Sequence, residues 1–237
     1  MLFTFDERPS DSPYVERIWR AHGKHAGTFT SLATSHWEIV VMRHSGTTTV
    51  TLRGPETKAT RVYCSVQAEW VGIIFRLGSF MPQLLASDMV DGSIDLPVAS
   101  RTSFWLHGSI WPYPDYDNAE TFVNQLVRQG LLVRDPIIDP VLHAQPNGLS
   151  PRSIQRRFVH ATGLTQGMIR QIERARSATM LLEEGMSILD TVVHVGYADQ
   201  AHLTRSLKHF CGKTPSQIIR KIEPEQMSLL FKTEPTL

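Results

Sequence analysis

The 237-residue sequence predicts an α+β chain: a small antiparallel β-sheet or barrel-like domain first, then an all-α domain. Three observations predict it. Short runs rich in β-branched and aromatic residues fill the first half, and beyond Asn118 the apolar period becomes helical. All five tryptophans, Trp19, Trp37, Trp70, Trp105 and Trp111, precede Pro112. Charge divides the same way: Ser150 to Ile222 holds eleven Lys and Arg against five acids, a net of +6, which leaves −5 for the rest. The length allows two modest domains, and 41% hydrophobic with 20% charged residues is ordinary for a packed core. The expected division is 1–115, 116–222 and a tail at 223–237.

Strands are expected at Phe29 to Ala33, Trp37 to Met42, Thr47 to Leu52, Val62 to Val66 and Val71 to Phe75, with Ser45-Gly46 and Gly54-Pro55 as turns between them. Phe80 to Leu85 has the makings of a helix start. The prolines of Trp111-Pro112-Tyr113-Pro114 lack N–H donors and favour an extended linker. Asn118 is placed to cap a helix in which Phe122, Leu126 and Val127 share a face, and which Gly130 stops. A short helix follows, starting at Asp135-Pro136 or at Asp139-Pro140. Ser150 caps the next, with Pro151 first and Ile154 and Phe158 inward. A long helix from about Gln166 to Glu184 carries Ile169, Ile172, Arg176, Thr179 and Leu182 on successive neighbouring turns and ends at Gly185. Ser187 and Asp190 form the S-x-x-D pattern opening a helix with Val192 and Val195 inward. Gly196 turns the chain, Asp199 caps a helix with Leu203, Leu207 and Phe210 on one side, and Thr214-Pro215-Ser216 begins the last one.

Several function classes are disfavoured. The longest apolar stretches, such as Trp70 to Phe75, fall far short of the ~20 residues of a membrane span, so no membrane role is expected. Asp6, Glu7 and Arg8 interrupt any apolar signal segment, and Cys64 and Cys211 alone cannot make a four-ligand zinc site or a disulfide framework. A reducing cytoplasm is the expected setting, with no cofactor. His22, His25, His36 and His44 with Glu38 are scattered over strands, where histidines are usually surface or core residues rather than metal ligands. Trp37, Trp70, Phe75, Trp105 and Trp111 are weighed as lining of an apolar pocket, and core is preferred. No G-x-S-x-G, Walker or H-E-x-x-H pattern is present, and Cys64 lacks the cysteine-rich surroundings of a DNA-repair methyltransferase, so catalysis is not expected.

An internal repeat carries the functional reading. At an offset of 49 residues, Ser150-Pro-Arg-Ser-Ile-Gln-Arg-Arg-Phe-Val-His160 lies over Asp199-Gln-Ala-His-Leu-Thr-Arg-Ser-Leu-Lys-His209, and Gly163-Leu-Thr over Gly212-Lys-Thr. Each copy follows a short helix and a tight turn, Asn147-Gly148 or Gly196. That order is a helix-turn-helix, whose second helix enters the major groove of DNA. Arg152, Ser153, Gln155 and Arg156 face away from Ile154 and Phe158; Gln200, Ala201, His202 and Arg205 hold the equivalent face. Arg can pair with guanine O6 and N7, and Gln with adenine. The caps Ser150 and Asp199 leave helix N-termini open to phosphate, and Arg157, Lys208 and Lys213 add charge. Two such helices joined by the long helix would read successive major-groove segments about 34 Å apart.

From Gly148 to Arg220 these residues, with R-A-R-x-A-x-x-L-L at Arg174, S-I-x-x-x-V at Ser187, G-Y-A-D-Q-A-H-L-T-R-S-L-K at Gly196 and G-K-T-P-S-Q at Gly212, resemble the AraC/XylS family of bacterial transcription regulators. The resemblance covers about the last hundred residues. It implies operator contacts by the two faces named above, double-stranded DNA and RNA polymerase as partners, and a first domain that binds a small-molecule effector or pairs two chains as a homodimer. Leu207 stands where the family usually has Phe, and Pro140 sits in the first scaffold helix. The rival reading is an architectural DNA binder without sequence preference.

Overall fold

A computed structural model describes residues 2–143, 145 and 148–220. Strands run β1 Phe3–Pro9, β2 Val15–Gly23, β3 Gly27–Ser31, β4 Glu38–His44, β5 Thr47–Arg53, β6 Thr60–Cys64, β7 Glu69–Phe75 and β8 Ser79–Phe80. A 3-10 turn at Ala86–Met89 leads to β9 Ser93–Leu96, β10 Val98–Ser100, β11 Ser103–Leu106 and β12 Ser109–Pro112. Then come α1 Ala119–Arg128, β13 Val133–Arg134, α2 Ile138–Leu142, α3 Pro151–Thr162, α4 Gln166–Glu183, α5 Ile188–Val195, α6 Gln200–Cys211 and α7 Pro215–Ile219. An antiparallel sheet followed by helices is the α+β arrangement the sequence predicts.

By packing, the chain divides into two compact units. Among the described residues, one comprises those within 2–27, 36–55 and 64–165; the other comprises 28–35, 56–63 and 166–220. The first unit is built on a six-stranded sheet in the order β1-β2-β7-β4-β5-β9. The register aligns Ile18, Ile73, Ile39 and Leu52 in one row across β2, β7, β4 and β5, all fully buried. Each such side chain contributes about 1.5–3 kcal/mol by leaving water. Helix α1 buries Phe122, Val123 and Leu126, and Phe122 packs edge-on against Trp111 at 5.7 Å. Gly72 pairs with Trp19, and a Cβ there would lie 2.0 Å from the indole, so the ring requires glycine beneath it.

Several elements differ from the sequence expectation. Strand β1 is an edge strand whose Asp6, Glu7, Arg8 and Pro9 mask its period. Charges and proline at an edge deter pairing with other chains, which is why the segment looks unlike a strand. Phe80 to Leu85 starts no helix: Phe80 ends β8, and only the 3-10 turn follows. Trp111-Pro112 belongs to β12 rather than to a linker, and β12 is also an edge, where the missing N–H of Pro112 costs no ladder bond. Asn118 precedes α1 but makes no side-chain cap; its Oδ1 accepts from the Asp115 N–H at 2.9 Å. Helix α2 begins at Ile138, between the two expected starts, with Asp139 and Pro140 in its first turn. Trp37, Phe75 and Trp111 are core, whereas Trp105 is 42% exposed. His36 is buried with Nδ1 2.9 Å from the Phe75 carbonyl oxygen. Among the described residues no group of three His, Cys, Asp or Glu is placed to hold a metal, and no helix is long and apolar enough to cross a membrane.

Arg8 binds both carboxylate oxygens of Glu120 and donates to the Tyr116 carbonyl at 2.8 Å. The guanidinium holds the Glu120 carboxyl below its usual range. A depressed carboxylate stabilises the fold above the unfolded pKa of about 4.3 and loses that contribution as pH falls through its lower folded value. Acid unfolding of Arg8→Gln should therefore begin at higher pH than in the wild type, with the difference vanishing at the acid extreme; parallel curves would count against this pairing.

In the second unit β3 pairs with β6, and α4 packs against α5, α6 and α7. The N–H groups of Ala33 and Ala59 donate to the Phe210 and His209 carbonyls, each at 2.9 Å, satisfying the C-terminal end of α6.

Candidate nucleic-acid interface

Each copy of the repeat builds its helix from the same parts. Ser150 is extended, and its Oγ accepts from the Ser153 N–H at 3.2 Å, with Pro151 in the first position of α3. Asp199 is extended too, and its carboxylate accepts from the His202 N–H at 2.6 Å. Both helices end on a left-handed glycine, Gly163 at φ 72° and Gly212 at φ 73°. The equivalent inward residues agree: Phe158 with Leu207 are fully buried, as are Ala161 with Phe210 and Thr162 with Cys211 within a few per cent. Ile154 is half-buried where Leu203 is fully so. Leu207 thus fills the core position where the resemblance expects Phe.

The outward faces carry the sequence-selected residues. Ser150, Arg152, Ser153, Gln155, Arg156 and Arg157 on α3 are exposed, as are Asp199, Gln200, Ala201, Arg205 and Lys208 on α6. His202 is half-buried and sits edge-on against the Tyr197 ring at 5.1 Å. Lys213, counted among the added charges, is buried. Arg157 is engaged: its Nη1 donates to both oxygens of Asp135, at 2.9 and 3.0 Å.

Two supporting features escape the sequence reading. Tyr197, in the turn between α5 and α6, is 5% exposed and bonded through its hydroxyl to Ser206 at 2.8 Å. Arg174 of α4 lies over its ring at 4.7 Å, and burial raises the phenol pKa. Asp135 reads in sequence as a helix start, and only the fold brings it to Arg157. In the second motif Gly196 has φ 75° and closes α5, whose cap Ser187 accepts from the Asp190 N–H at 3.1 Å. Of the first motif's turn, Gly148 has φ 67° and Asn147 lies outside the described residues, as do Lys221, the expected domain end at 222 and the tail.

Comparison with known proteins agrees with this geometry. A helix-turn-helix domain model matches residues 144–221. The HTH-type transcriptional regulator RipA of Corynebacterium glutamicum is 36% identical over 73 residues, 31% of this chain and 22% of that protein. VirS of Mycobacterium tuberculosis, also an HTH-type transcriptional regulator, is 36% identical over 70 residues, 29% of this chain and 20% of that one. The chain therefore spans about a fifth of the length of these curated relatives. ToxT of Vibrio cholerae aligns over 94% of this chain and 100% of its own at 10% identity, with a TM-score of 0.40, too low to carry a fold assignment. Shared caps and glycine stops, together with the match over residues 144–221, make this region a helix-turn-helix domain.

Proposed function

We propose that the protein is a sequence-specific transcription regulator that reads two successive major-groove segments of double-stranded DNA through α3 and α6. The observation carrying this reading is the duplicated, capped helix with a buried apolar side and an exposed polar one. In it Arg152, Ser153, Gln155 and Arg156 meet base edges in one segment, and Gln200, Ala201, His202 and Arg205 in the other. The two capped N-termini and Lys208 hold phosphates. Residues 116–222 form the DNA-binding part of this reading, and the segment before them takes the effector or dimerisation role, acting in the cytoplasm with RNA polymerase as the downstream partner. An enzymatic reading finds little support in the thiols: both cysteines are buried, and burial pushes Cys211 up to about 12.

The test is binding to a selected site and to random DNA in parallel. Arg156→Ala is expected to cost about 1–3 kcal/mol on the selected site and to relax preference at one base. Lys208→Ala should weaken all sequences alike and lower the salt slope by about one. Equal losses for Arg156→Ala on both DNAs would remove its reading role. An architectural binder would show no preference, whereas a regulator binds its site some 10³-fold or more tighter.

A further inference from the structure

The repeat assigns Arg157 an equivalent, Ser206, 49 residues on. Ser206 is half-buried, and its hydroxyl is bonded to Tyr197 in the turn preceding α6. Arg157 is turned likewise, toward Asp135 between β13 and α2, the element before α3. In both copies this helix position ties the reading helix back to its own scaffold. Asp135 is a fixed acceptor. Its side chain is 10% exposed, its Oδ1 also accepts from the Ile137 N–H at 3.0 Å, and its own N–H donates to Gly78 at 2.9 Å. Arg157, 45% exposed, thus spends its charge on a neighbouring carboxylate although it lies beside the reading residues.

We propose that Arg157 is a positioning residue that anchors the first reading helix through Asp135, and that Asp135 withholds this one cation from the DNA backbone. The proposal rests on the DNA-reading assignment for its consequence, but the tether itself is tested without DNA. A free cation reaching a phosphate adds about 0.9 to the slope of log affinity against log salt, roughly a 3-fold larger loss between 50 and 200 mM salt.

The experiment uses the full chain and its Asp135→Asn, Arg157→Gln and doubly substituted forms, with Lys208→Ala as the phosphate control. On random-sequence duplex, Arg157→Gln should keep the wild-type salt slope while Lys208→Ala lowers it by about one. Asp135→Asn retains the bond to Ile137 but drops the charge, so its slope should steepen by up to one and return to the wild-type value in the double form. Thermal unfolding without DNA should show the double form melting no lower than the worse single one. A slope reduced by one in Arg157→Gln would make Arg157 a phosphate contact and overturn the proposal, as would additive losses in melting temperature. Absence of any site preference in the wild type would instead defeat the regulator reading and leave the tether standing.

Discussion

Replacing Glu173 with alanine should destabilise the second unit by about 3–5 kcal/mol, the usual loss when one partner of a buried ion pair is removed. Glu173 is 2% exposed on α4 and accepts from the Ser35 hydroxyl at 3.0 Å and from Arg176 at 3.3 Å. Its removal leaves a guanidinium that is 9% exposed without that carboxylate. The pair is not expected to add much over an apolar pair of similar volume, because taking both charges from water offsets most of their attraction. Glu173→Met combined with Arg176→Leu should therefore recover most of the loss. Denaturant midpoints followed by circular dichroism measure both, and a loss under about 1 kcal/mol for Glu173→Ala would mean that the remaining charge finds solvent. Because α4 packs against α5, α6 and α7, the single variant should also lose DNA affinity, and the apolar pair should restore it.

Phe158→Ala should be of similar size for the first motif, again about 3–5 kcal/mol. Phe158 is fully buried in α3, which packs against α2, β8 and the 3-10 turn, so truncation removes apolar contacts and leaves a cavity. Leu207→Ala at the equivalent position of α6 should cost about 2–5 kcal/mol. If the motifs read DNA separately, Phe158→Ala should blur preference at one half of the selected site and Leu207→Ala at the other. A loss confined to stability, with both halves still read at full strength by the folded fraction, would argue that the helices do not act as reading elements.

How legible the molecule is in its sequence depends on where each decision is made. Caps and glycine stops are local, so Ser150, Asp199, Ser187 and Thr214 and the ends at Gly163, Gly196 and Gly212 stand where the residues place them. The repeat adds a second copy in which each inward position can be checked, and the buried pair Phe158 and Leu207 follows from it. What is decided at long range is not legible. Nothing in Phe3 to Pro9 announces a strand, because its charges serve the edge of a sheet formed with residues far along the chain. Thr28–Ser35 and Glu56–Tyr63 group with the helices from Gln166 onward, and no local pattern says that Ala33 and Ala59 will satisfy the carbonyls of α6. Arg157 shows the same limit at one residue. Its place on a helix is readable, but the carboxylate that engages it arrives from 22 residues upstream.

Whether α3 and α6 each read DNA is decided by selecting bound sites from a random DNA pool, with the wild type and then with Gln155→Ala and with Gln200→Ala. The expected result is an enriched site with two short blocks centred about one helical turn apart, roughly 10–10.5 base pairs, with each substitution erasing preference in a different block. A pool that enriches nothing, or a single block altered by both substitutions, would contradict it.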